Sequence, residues 1–554
     1  MNRKQRRANA KRGATSSNSP ASAAAAVTSD VAESLAAGLK HQQAGRLAEA
    51  EACYQRVLAA QPDHADALHL LGVVAHQVGR HDLAVELIGQ AIRRNRQNPI
   101  YFSNLGVVLK DQGRLDEAMT AYRQATGLKA DYAEAHSNLG YALWDQGKID
   151  EAVAACRQAI RLNPELPQAH SNLGIALKTQ GKLDEAVAAC RQAIRIKSDF
   201  ADAHSNLGIA LKDQGKFDEA VAACREAIRL KPDFADAHWN EALLSLLTGE
   251  FESGWTKSEW RWKSASSGLS KRNFAQPLWL GAETIDRKTI LLHSEQGLGD
   301  TIQFCRYVPL VAARGARVIL EVQEPLRQLM SGLAGVSQCV SKGEALPHFD
   351  LHCPLLTLPL AFGTRLDTIP STIPYLRAPT HGQDRRAQLG PRDRPRIGLV
   401  WSGNPQHRDD RKRSIELNTL SPLFDVAATF VSLQRDLRAG DEAALKTRSD
   451  ILNLGPSLAS FADTAALISH LDLVISVDTS VAHLAGALGR PVWVLLSFVP
   501  DWRWLLNRED SPWYPTARLF RQTDAREWHG VVHRVRAALS DLVENQRASQ
   551  ESPD

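Results

Sequence analysis

A repeat of 34 residues in the first half of the chain constrains its fold more than any other feature. Single glycines, alanines and Leu-Gly pairs each recur at this spacing. The glycines are Gly45, Gly79, Gly113, Gly147, Gly181, Gly215 and Gly249, and the alanines are Ala50, Ala84, Ala118, Ala152, Ala186 and Ala220. The pairs begin at Leu71, Leu105, Leu139, Leu173 and Leu207. A constant period of about 20 to 50 residues predicts a stack of similar units, each packed on its neighbours.

Each unit has the pattern of two helices. In one unit, Leu139, Ala142 and Leu143 follow helical spacing, and Gly147 then ends the helix. The acidic pair that starts at Asp150 opens the second helix, because negative charge is favourable at the positive end of a helix dipole. The first half is therefore predicted to be all-α.

The repeat length and its Leu-Gly, Gly, Ala and Pro columns resemble the tetratricopeptide repeat. The resemblance implies a solenoid of helix pairs over residues 31–264, with seven units. They start at Val31, Ala65, Pro99, Ala133, Pro167, Ala201 and Ala235. The last unit is degenerate, since Glu241-Ala242 stands where Leu-Gly is expected, and we expect it to cap the array.

One polar column predicts a binding surface on the array. Asparagines recur at one position of the first helix, at Asn104, Asn138, Asn172, Asn206 and Asn240. In the tetratricopeptide family this part of the helix lines a concave groove. An amide side chain both donates and accepts hydrogen bonds, so such a ladder can bind the main chain of a protein or peptide partner. The alternative is that recently duplicated units simply share the residue.

A column of cysteines resembles a metal site only at first sight. Cys156, Cys190 and Cys224 lie 34 residues apart, so each belongs to a different unit. We interpret them as small residues that fill the space between packed helices. We expect no metal site and no cofactor in this protein.

After residue 264 the pattern changes to short apolar runs, separated by glycine-containing loops and helical segments. This alternation predicts parallel strands covered by helices. The predicted strands are residues 289–293, 316–322, 349–353, 396–401, 429–433, 451–454, 471–477 and 491–496. A linker rich in Arg and Pro divides them into two Rossmann-like domains, at 265–390 and 391–545, with a cleft at the carboxyl ends of the strands.

The charge of the chain does not indicate a nucleic-acid partner. Its formal net charge is +4, but six of the 66 basic residues lie in the first 29 residues, which contain no acid. Without them the net charge is −2. We interpret residues 1–30 as a disordered basic tail and 546–554 as a second disordered tail. No apolar run is long enough for a membrane-spanning helix, so we predict a cytoplasmic protein that makes at most a peripheral membrane contact.

The first candidate site is the sequence GLGD at 297–300. Gly297 and Gly299 allow close backbone approach to a ligand, and Asp300 at the carboxyl end of a strand can deprotonate an acceptor hydroxyl. The alternative for Asp300 is a helix cap.

The second candidate follows the strand at 396–401. A glycine turn precedes a basic cluster, Arg408, Arg411, Lys412 and Arg413, which can neutralise a diphosphate and stabilise it as a leaving group. The alternative is a solvated basic loop.

The third candidate spans 476–492. A strand leads through Asp478, Thr479 and Ser480 into a helix that carries His483 one turn later. The first N–H groups of this helix suit a phosphate, and Asp478 or His483 can contact sugar hydroxyls. The alternative for His483 is a core histidine with local hydrogen bonds.

Together, these three motifs resemble glycosyltransferase family 9, the ADP-heptose:lipopolysaccharide heptosyltransferase group of bacteria, over about residues 288–540. The resemblance implies a GT-B fold of two Rossmann-like domains and catalysis without a metal. It assigns Asp300 as catalytic base, and places Lys412 and Arg413 on the donor phosphates. Its DTGxxH motif corresponds to Asp478, Thr479, Ser480 and His483, with Ser480 in place of glycine. His293 and Glu295 also depart from the residues common before the GxGD loop.

Four aromatic residues follow the third motif. Trp502, Trp504, Trp513 and Tyr514 can stack on a sugar or base, or pack the two α/β domains together.

The predicted function is transfer of a sugar, heptose-like or hexose, from a nucleotide-sugar to a hydroxyl acceptor, with the array recognising a protein or peptide. One alternative is a protein O-linked N-acetylglucosamine transferase, which combines the same kind of array with a GT-B region. Another is a scaffold whose transferase region is inactive, an alternative that the departures at His293, Glu295 and Ser480 keep open.

Overall fold

The computed structural model describes residues 20–379, 385–407 and 409–551, with side chains from residue 29 to 548. Residues 1–19, at the start of the predicted basic tail, and 552–554, at the end of the second one, lie outside the described residues. The chain divides into two compact units, one ending at Ala210 and the other starting at Leu211. The second unit therefore contains the end of the repeat array together with the whole α/β region.

From residue 20, where the described residues begin, the first part of the chain is a series of fourteen helices. They are α1 (Pro20–Gln43), α2 (Leu47–Ala60), α3 (Ala65–Gln77), α4 (His81–Arg94), α5 (Pro99–Asp111), α6 (Leu115–Leu128), α7 (Ala133–Asp145), α8 (Ile149–Leu162), α9 (Pro167–Thr179), α10 (Leu183–Ile196), α11 (Ala201–Gln214), α12 (Phe217–Leu230), α13 (Ala235–Thr248) and α14 (Phe251–Ser258). From the second repeat onward, the first helix of every repeat begins at the residue predicted from the sequence.

Two kinds of glycine explain why these helices form pairs. The glycine between the two helices of each unit has a positive φ, from 72° at Gly45 to 88° at Gly249, a conformation that other residues rarely adopt. The glycines of four Leu-Gly pairs, Gly72, Gly106, Gly140 and Gly174, each face a side chain of the second helix. A Cβ on Gly140, for example, would lie 2.5 Å from Cys156 Sγ. Because glycine lacks that atom, the two helices can approach closely.

The helical boundaries at both ends of the chain differ from the predicted tails. Helix α1 begins at Pro20, inside the segment 1–30 that was interpreted as disordered. The last helix, α23, runs from Trp528 to Glu551 and so continues past residue 545. The start of α1 is rich in alanine, and the end of α23 is rich in long polar side chains. Both compositions favour helices, so composition alone does not distinguish such helices from polar tails.

In its described residues, the α/β region contains two parallel sheets. The first has the order β3-β2-β1-β4, with β1 (Thr289–His293), β2 (Arg317–Val322), β3 (Val336–Ser341) and β4 (Leu351–Pro354). The second has the order β10-β9-β8-β5-β6-β7, with β5 (Arg396–Val400), β6 (Thr429–Ser432), β7 (Ile451–Asn453), β8 (Leu473–Val477), β9 (Val492–Leu496) and β10 (Ala517–Arg521). All eight predicted strands are confirmed, and β3 and β10 are additional strands at sheet edges.

Short helices connect these strands. They are α15 (Leu298–Phe304), α16 (Val308–Ala312), α17 (Arg327–Met330), α18 (Leu358–Ala361), α19 (Asp410–Arg413), α20 (Ala439–Lys446), α21 (Phe461–Ile468) and α22 (Ser480–Ala487). The predicted fold class, an all-α repeat solenoid followed by parallel α/β sheets, is confirmed.

Helix α14 belongs to the core of the α/β region. Its Trp255 is 1% exposed and packs edge to face against Phe304, Trp502 and Trp513. The Trp255 indole Nε1 donates a hydrogen bond of 2.9 Å to the carbonyl oxygen of Thr364. The degenerate last repeat is thus continuous with the core that supports the sheets.

Candidate functional site

A cavity of about 890 Å³ lies at the carboxyl ends of both sheets. Its walls come from the segments that follow six strands, namely β1, β5, β6, β7, β8 and β9. Two repeat helices add Lys212, Asp213, Leu243 and Leu247. The ends of parallel strands are the usual position of ligand sites in α/β folds, and this cavity includes residues from all three sequence motifs.

Asp300 lies on the wall at the start of α15. Its carboxylate accepts a 2.9 Å hydrogen bond from the backbone N–H of Gly297, so the capping interaction considered from the sequence is present. The other carboxylate oxygen accepts a hydrogen bond from the Arg503 guanidinium. The side chain is 21% exposed and lines the cavity. Because an ionised carboxylate has about four lone-pair positions, these two bonds leave room for a hydroxyl group.

Arg503 was not identified from the sequence, although it belongs to this site. The residue is 8% exposed, and it also donates hydrogen bonds of 2.6 Å to Gln303 and 2.7 Å to Asp501. Burial lowers the pKa of Arg503, but the charges of Asp300 and Asp501 outweigh it and raise the pKa above its ordinary value. Arg503 is therefore a permanent cation beside Asp300. Its position between Trp502 and Trp504 was the available signal in the sequence.

The two glycines of the GLGD motif have different surroundings. A Cβ on Gly297 would have only the Asp300 carboxylate within 4 Å, at 3.1 Å, so this backbone is open to a ligand. A Cβ on Gly299 would lie 2.9 Å from His483 Cδ2 and 3.5 Å from Ser480 Cα. Gly299 thus allows α15 to approach α22, which brings the first and third motifs together.

Arg413 is placed at the centre of the second motif. Its Nη1 donates a 2.9 Å hydrogen bond to the carbonyl oxygen of Asp478, and its guanidinium lies directly over Gly403, where a Cβ would be 2.7 Å away. Among the residues that the structure describes, buried Arg413 Nε has no hydrogen-bond partner, and its nearest carboxylate is that of Asp410 at 4.0 Å. The guanidinium lines the cavity, so it can meet a ligand there.

The other basic residues of this cluster are arranged differently. Lys412 lines the cavity, but its ammonium group lies 3.0 Å from both Asp213 and Asp409. Arg411 is exposed and is not part of the cavity wall, and Arg408 lies outside the described residues. The cluster therefore brings Arg413 and Lys412 to the cavity and leaves Arg411 in solvent.

The third motif supplies a helix N-terminus. Thr479 precedes α22 with an extended backbone, and Ser480 is the first helical residue. Asp478, Thr479 and Ser480 all line the cavity, and the first N–H groups of a helix have no partner within it. Burial, followed by the charge of Asp501, raises the pKa of Asp478 to about 6. This end of α22 can bind an anion next to Arg413.

His483 is mainly a packing residue. Its Nδ1 forms a 2.9 Å hydrogen bond with the Tyr514 hydroxyl, and its ring stacks on Trp504 at 5.3 Å. Burial and the charges of Arg503, Arg306 and Arg413 hold the pKa of His483 well below its usual value, so the imidazole is neutral. It also contributes to the cavity wall. This arrangement agrees with the alternative considered from the sequence, a core histidine with local hydrogen bonds.

The four aromatic residues of the following loop are buried. Trp502, Trp504, Trp513 and Tyr514 are between 0% and 5% exposed, in one core with Trp255 and Phe304. Of these four, Trp502 also lines the cavity. Domain packing, one of the two roles considered from the sequence, is therefore their observed arrangement.

Two residues that depart from the family pattern lie outside the cavity wall. His293 pairs with His352 at 3.2 Å, and burial lowers its pKa to about 3. Glu295 accepts hydrogen bonds from Arg261 and from the backbone N–H of Leu356, and burial raises its pKa to about 7. Both side chains are thus used inside the first α/β domain.

The asparagine column connects neighbouring repeats. Asn172 Nδ2 donates to the hydroxyl of Ser137, at 3.1 Å, and Asn206 Nδ2 donates to that of Ser171, at 3.0 Å. Asn104 makes the equivalent bond to His69 at 2.8 Å. Asn172 is only 4% exposed, whereas Asn104, Asn138, Asn206 and Asn240 are half-buried. A peptide-binding role for this column stays a prediction.

The cysteine column has the predicted packing role. Cys156, Cys190 and Cys224 are fully buried, and burial raises the pKa of each thiol to about 12. Within the part of the chain that the structure describes, no three His, Cys, Asp or Glu side chains are arranged to hold a metal ion. None of the helices described is both long and apolar enough to cross a membrane.

Comparison with known families agrees with the two-part architecture. Models of the tetratricopeptide repeat match residues 35–99, 108–147, 137–200 and 201–234. The model described as glycosyltransferase family 9 (heptosyltransferase) matches residues 434–496, a segment that includes Asp478 and His483. The chain therefore combines tetratricopeptide repeats with a glycosyltransferase family 9 region, and within the residues 288–540 over which that family was expected the match covers 434–496.

Individual proteins are similar over part of the chain. Protein FlbA of Caulobacter vibrioides is 24% identical over 329 residues, which is 54% of this chain and 54% of FlbA. The chain thus spans about half the length of this curated relative. A thermophilic repeat protein of Thermus thermophilus is 25% identical, with 33% of this chain and 100% of that chain covered and a TM-score of 0.31. PilF of Pseudomonas aeruginosa is 21% identical, with 39% and 99% covered and a TM-score of 0.35.

Proposed function

We propose that the chain transfers a sugar, heptose-like or hexose, from a nucleotide-sugar to a hydroxyl group of an acceptor. The single observation that carries this proposal is the shared cavity, which joins Asp300, Arg413 and the N-terminus of α22. A carboxylate facing an anion-binding pair is the arrangement that a base-assisted displacement at a sugar phosphate requires.

The diphosphate of the donor binds at Arg413 and α22 in this proposal. Arg413 provides a positive charge, and the first N–H groups of α22 point along a helix dipole that favours anions. Both groups are held before the donor arrives, since Arg413 is bonded to the Asp478 carbonyl. They stabilise the negative charge that develops on the leaving diphosphate without reorganisation.

Asp300 is the base. As the acceptor oxygen bonds to the anomeric carbon, the bond from that carbon to the diphosphate breaks, and the acceptor proton passes to the Asp300 carboxylate. A displacement in one step inverts the anomeric configuration. The hydrogen bonds from Gly297 and Arg503 hold the carboxylate at the cavity wall, which contributes to catalysis by orientation.

The two sheets and their common cavity support a GT-B arrangement, in which the donor lies against the second sheet. The positive charge at the diphosphate is supplied here by protein groups, which is the metal-independent chemistry that the family resemblance implies. We propose that the repeat array selects a protein or peptide partner, as tetratricopeptide arrays do. We also propose that the reaction takes place in the cytoplasm.

A panel of nucleotide-sugars, incubated with the full chain and candidate acceptors and read by mass spectrometry, tests the proposal. Transfer from ADP-heptose supports the family 9 assignment. Transfer of N-acetylglucosamine from its UDP donor to a protein supports the O-linked transferase instead. If no donor is consumed and none raises the unfolding temperature, the chain is a scaffold and the proposal is wrong.

A further inference from the structure

The last residues of α11 and the turn that follows it (residues 212–216, called the repeat turn from here on) form part of the wall of the candidate active site. The repeat turn belongs to the sixth repeat, yet Lys212 and Asp213 line the same cavity as Asp300 and Arg413. The repeat turn lies in the compact unit that starts at Leu211, together with both sheets. A repeat unit thus supplies side chains to a site that the sequence motifs placed wholly in the α/β region.

Three contacts fix this turn. The carboxylate of Asp213 is 5% exposed and lies 3.0 Å from Lys412 Nζ. The backbone carbonyl of Asp213 accepts a 2.6 Å hydrogen bond from Arg526, whose guanidinium also lies 4.6 Å from the Phe498 ring. A Cβ on Gly215, which has a φ of 84°, would be 2.9 Å from Phe498. The Asp213 side chain, the Asp213 carbonyl and Gly215 thus all lie against residues of the α/β region.

Lys412 is bound on two sides. Its ammonium group lies 3.0 Å from Asp213 and 3.0 Å from Asp409, so both neighbours compensate its charge. Burial lowers the pKa of Lys412, but these two carboxylates outweigh it and raise the pKa above the ordinary value. Lys412 therefore connects the repeat turn to residues 409–413, which include the short helix α19, and Arg413 at the end of this segment lines the cavity beside it.

We infer that Asp213 is a positioning residue for the donor site: by binding Lys412 it holds the segment 409–413, and with it Arg413, in place against the donor diphosphate. This inference rests on the proposed function. It makes a residue of the repeat array necessary for donor affinity, although Asp213 itself carries the same sign of charge as the ligand.

The sign of the effect separates positioning from simple electrostatics. If Asp213 only added negative charge to the cavity, its neutralisation would strengthen the binding of an anionic diphosphate. If it positions Lys412 and Arg413, neutralisation weakens binding. Asp213 and Lys412 form a charge-assisted hydrogen bond, and loss of part of the ordering that it provides predicts about tenfold weaker binding.

The test uses the full chain with Asp213→Asn, Asp213→Glu and the control Asp145→Asn. Asp145 occupies the same position of the repeat, 68 residues earlier, and is exposed. ADP and UDP are titrated by calorimetry, and KM for the active donor is measured with kcat. We expect Asp213→Asn to raise Kd and KM about tenfold with less than about twofold change in kcat, Asp213→Glu to restore most of the affinity, and the control to match wild type.

A second pair of variants tests the route through Lys412. In Lys412→Met the ammonium group is gone, so adding Asp213→Asn should weaken binding no further. Unchanged or tighter binding in Asp213→Asn, or additive losses in the double variant, would overturn the role of Asp213. Absence of ADP and UDP binding and of transfer in the wild-type chain would instead overturn the proposed function, and this role with it.

Discussion

Arg503 donates a hydrogen bond to the carboxylate of Asp300 across 203 residues of sequence. The pair joins the loop after β9 to the first turn of α15, so the proposed base is held by the opposite α/β domain. We predict that Asp300→Asn lowers kcat about 10²- to 10⁴-fold, the usual contribution of a general base, because the amide cannot accept the acceptor proton. Donor affinity should stay within about threefold of wild type, measured by ADP and UDP titration.

The control for this variant is Asp367→Asn, which changes a carboxylate that is 72% exposed. It should leave both kcat and donor affinity unchanged. Substantial turnover in Asp300→Asn, with the fold intact by circular dichroism, would contradict the assignment of the base.

Arg413 and Arg411 form a matched pair for the diphosphate site. Arg413→Met removes the guanidinium bonded to the Asp478 carbonyl, and we expect nucleoside diphosphate affinity to fall about 10- to 100-fold. Arg411→Met removes an exposed charge two positions away and should change affinity by less than about twofold. Calorimetric titration at constant ionic strength measures both. Equal losses in the two variants would mean that the cluster acts only through its net charge.

The raised pKa of Asp478 predicts a pH-dependent stability. Because burial raises this pKa from 3.8 to about 6, the folded state disfavours the ionised carboxylate, and the cost is fully present above pH 6. The cost disappears as the pH falls through about 6 towards 4. Asp478→Asn should therefore stabilise the ligand-free protein at pH 8 by at most about 3 kcal/mol, and by much less at pH 4.5.

Urea unfolding at the two pH values measures this difference, with Asp367→Asn as the exposed control. A variant that is less stable than wild type at pH 8 would show that ionised Asp478 is favourably paired in the folded protein, which contradicts the prediction.

Two helical glycines in the array should respond in opposite ways to alanine. Gly140→Ala places a Cβ 2.5 Å from Cys156 Sγ, so we expect a loss of about 1 to 3 kcal/mol from overpacking. The Cβ that Gly127→Ala adds would have no neighbouring atom within 4 Å, so this variant should stabilise its helix by up to about 1 kcal/mol. Thermal unfolding compares them. Adding Cys156→Ala to Gly140→Ala should recover part of the loss, and failure to do so would contradict the packing explanation.

The array was predictable because its information is local. A positive-φ glycine ends each first helix, and the glycine of the Leu-Gly pair, as at Gly140, allows the two helices to approach closely. Both requirements repeat every 34 residues, so the period marks the helix starts. The buried strands were predictable for a similar reason, since each is a short and nearly continuous apolar run.

The two edge strands were not predicted because they are only partly buried, so they do not form continuous apolar runs. Strand β3 is half exposed and carries Ser337 and Gln338, and β10 contains Arg518 and Arg521. The site residues that were not predicted are those whose role depends on a partner far away in the sequence. Arg503 and Asp213 acquire their roles from residues 203 and 199 positions away, and no local pattern encodes such pairs.

The burial of Trp255 among Phe304, Trp502 and Trp513 has a consequence for dissecting the protein. A fragment starting at residue 265, where the repeats end by sequence, would lack this indole and leave a void in the core. Losing a buried tryptophan costs about 3 to 5 kcal/mol, which is comparable to the whole stability of many domains. The smallest fragment that folds on its own should therefore include Trp255, and the compact unit that contains it starts at Leu211, inside the sixth repeat.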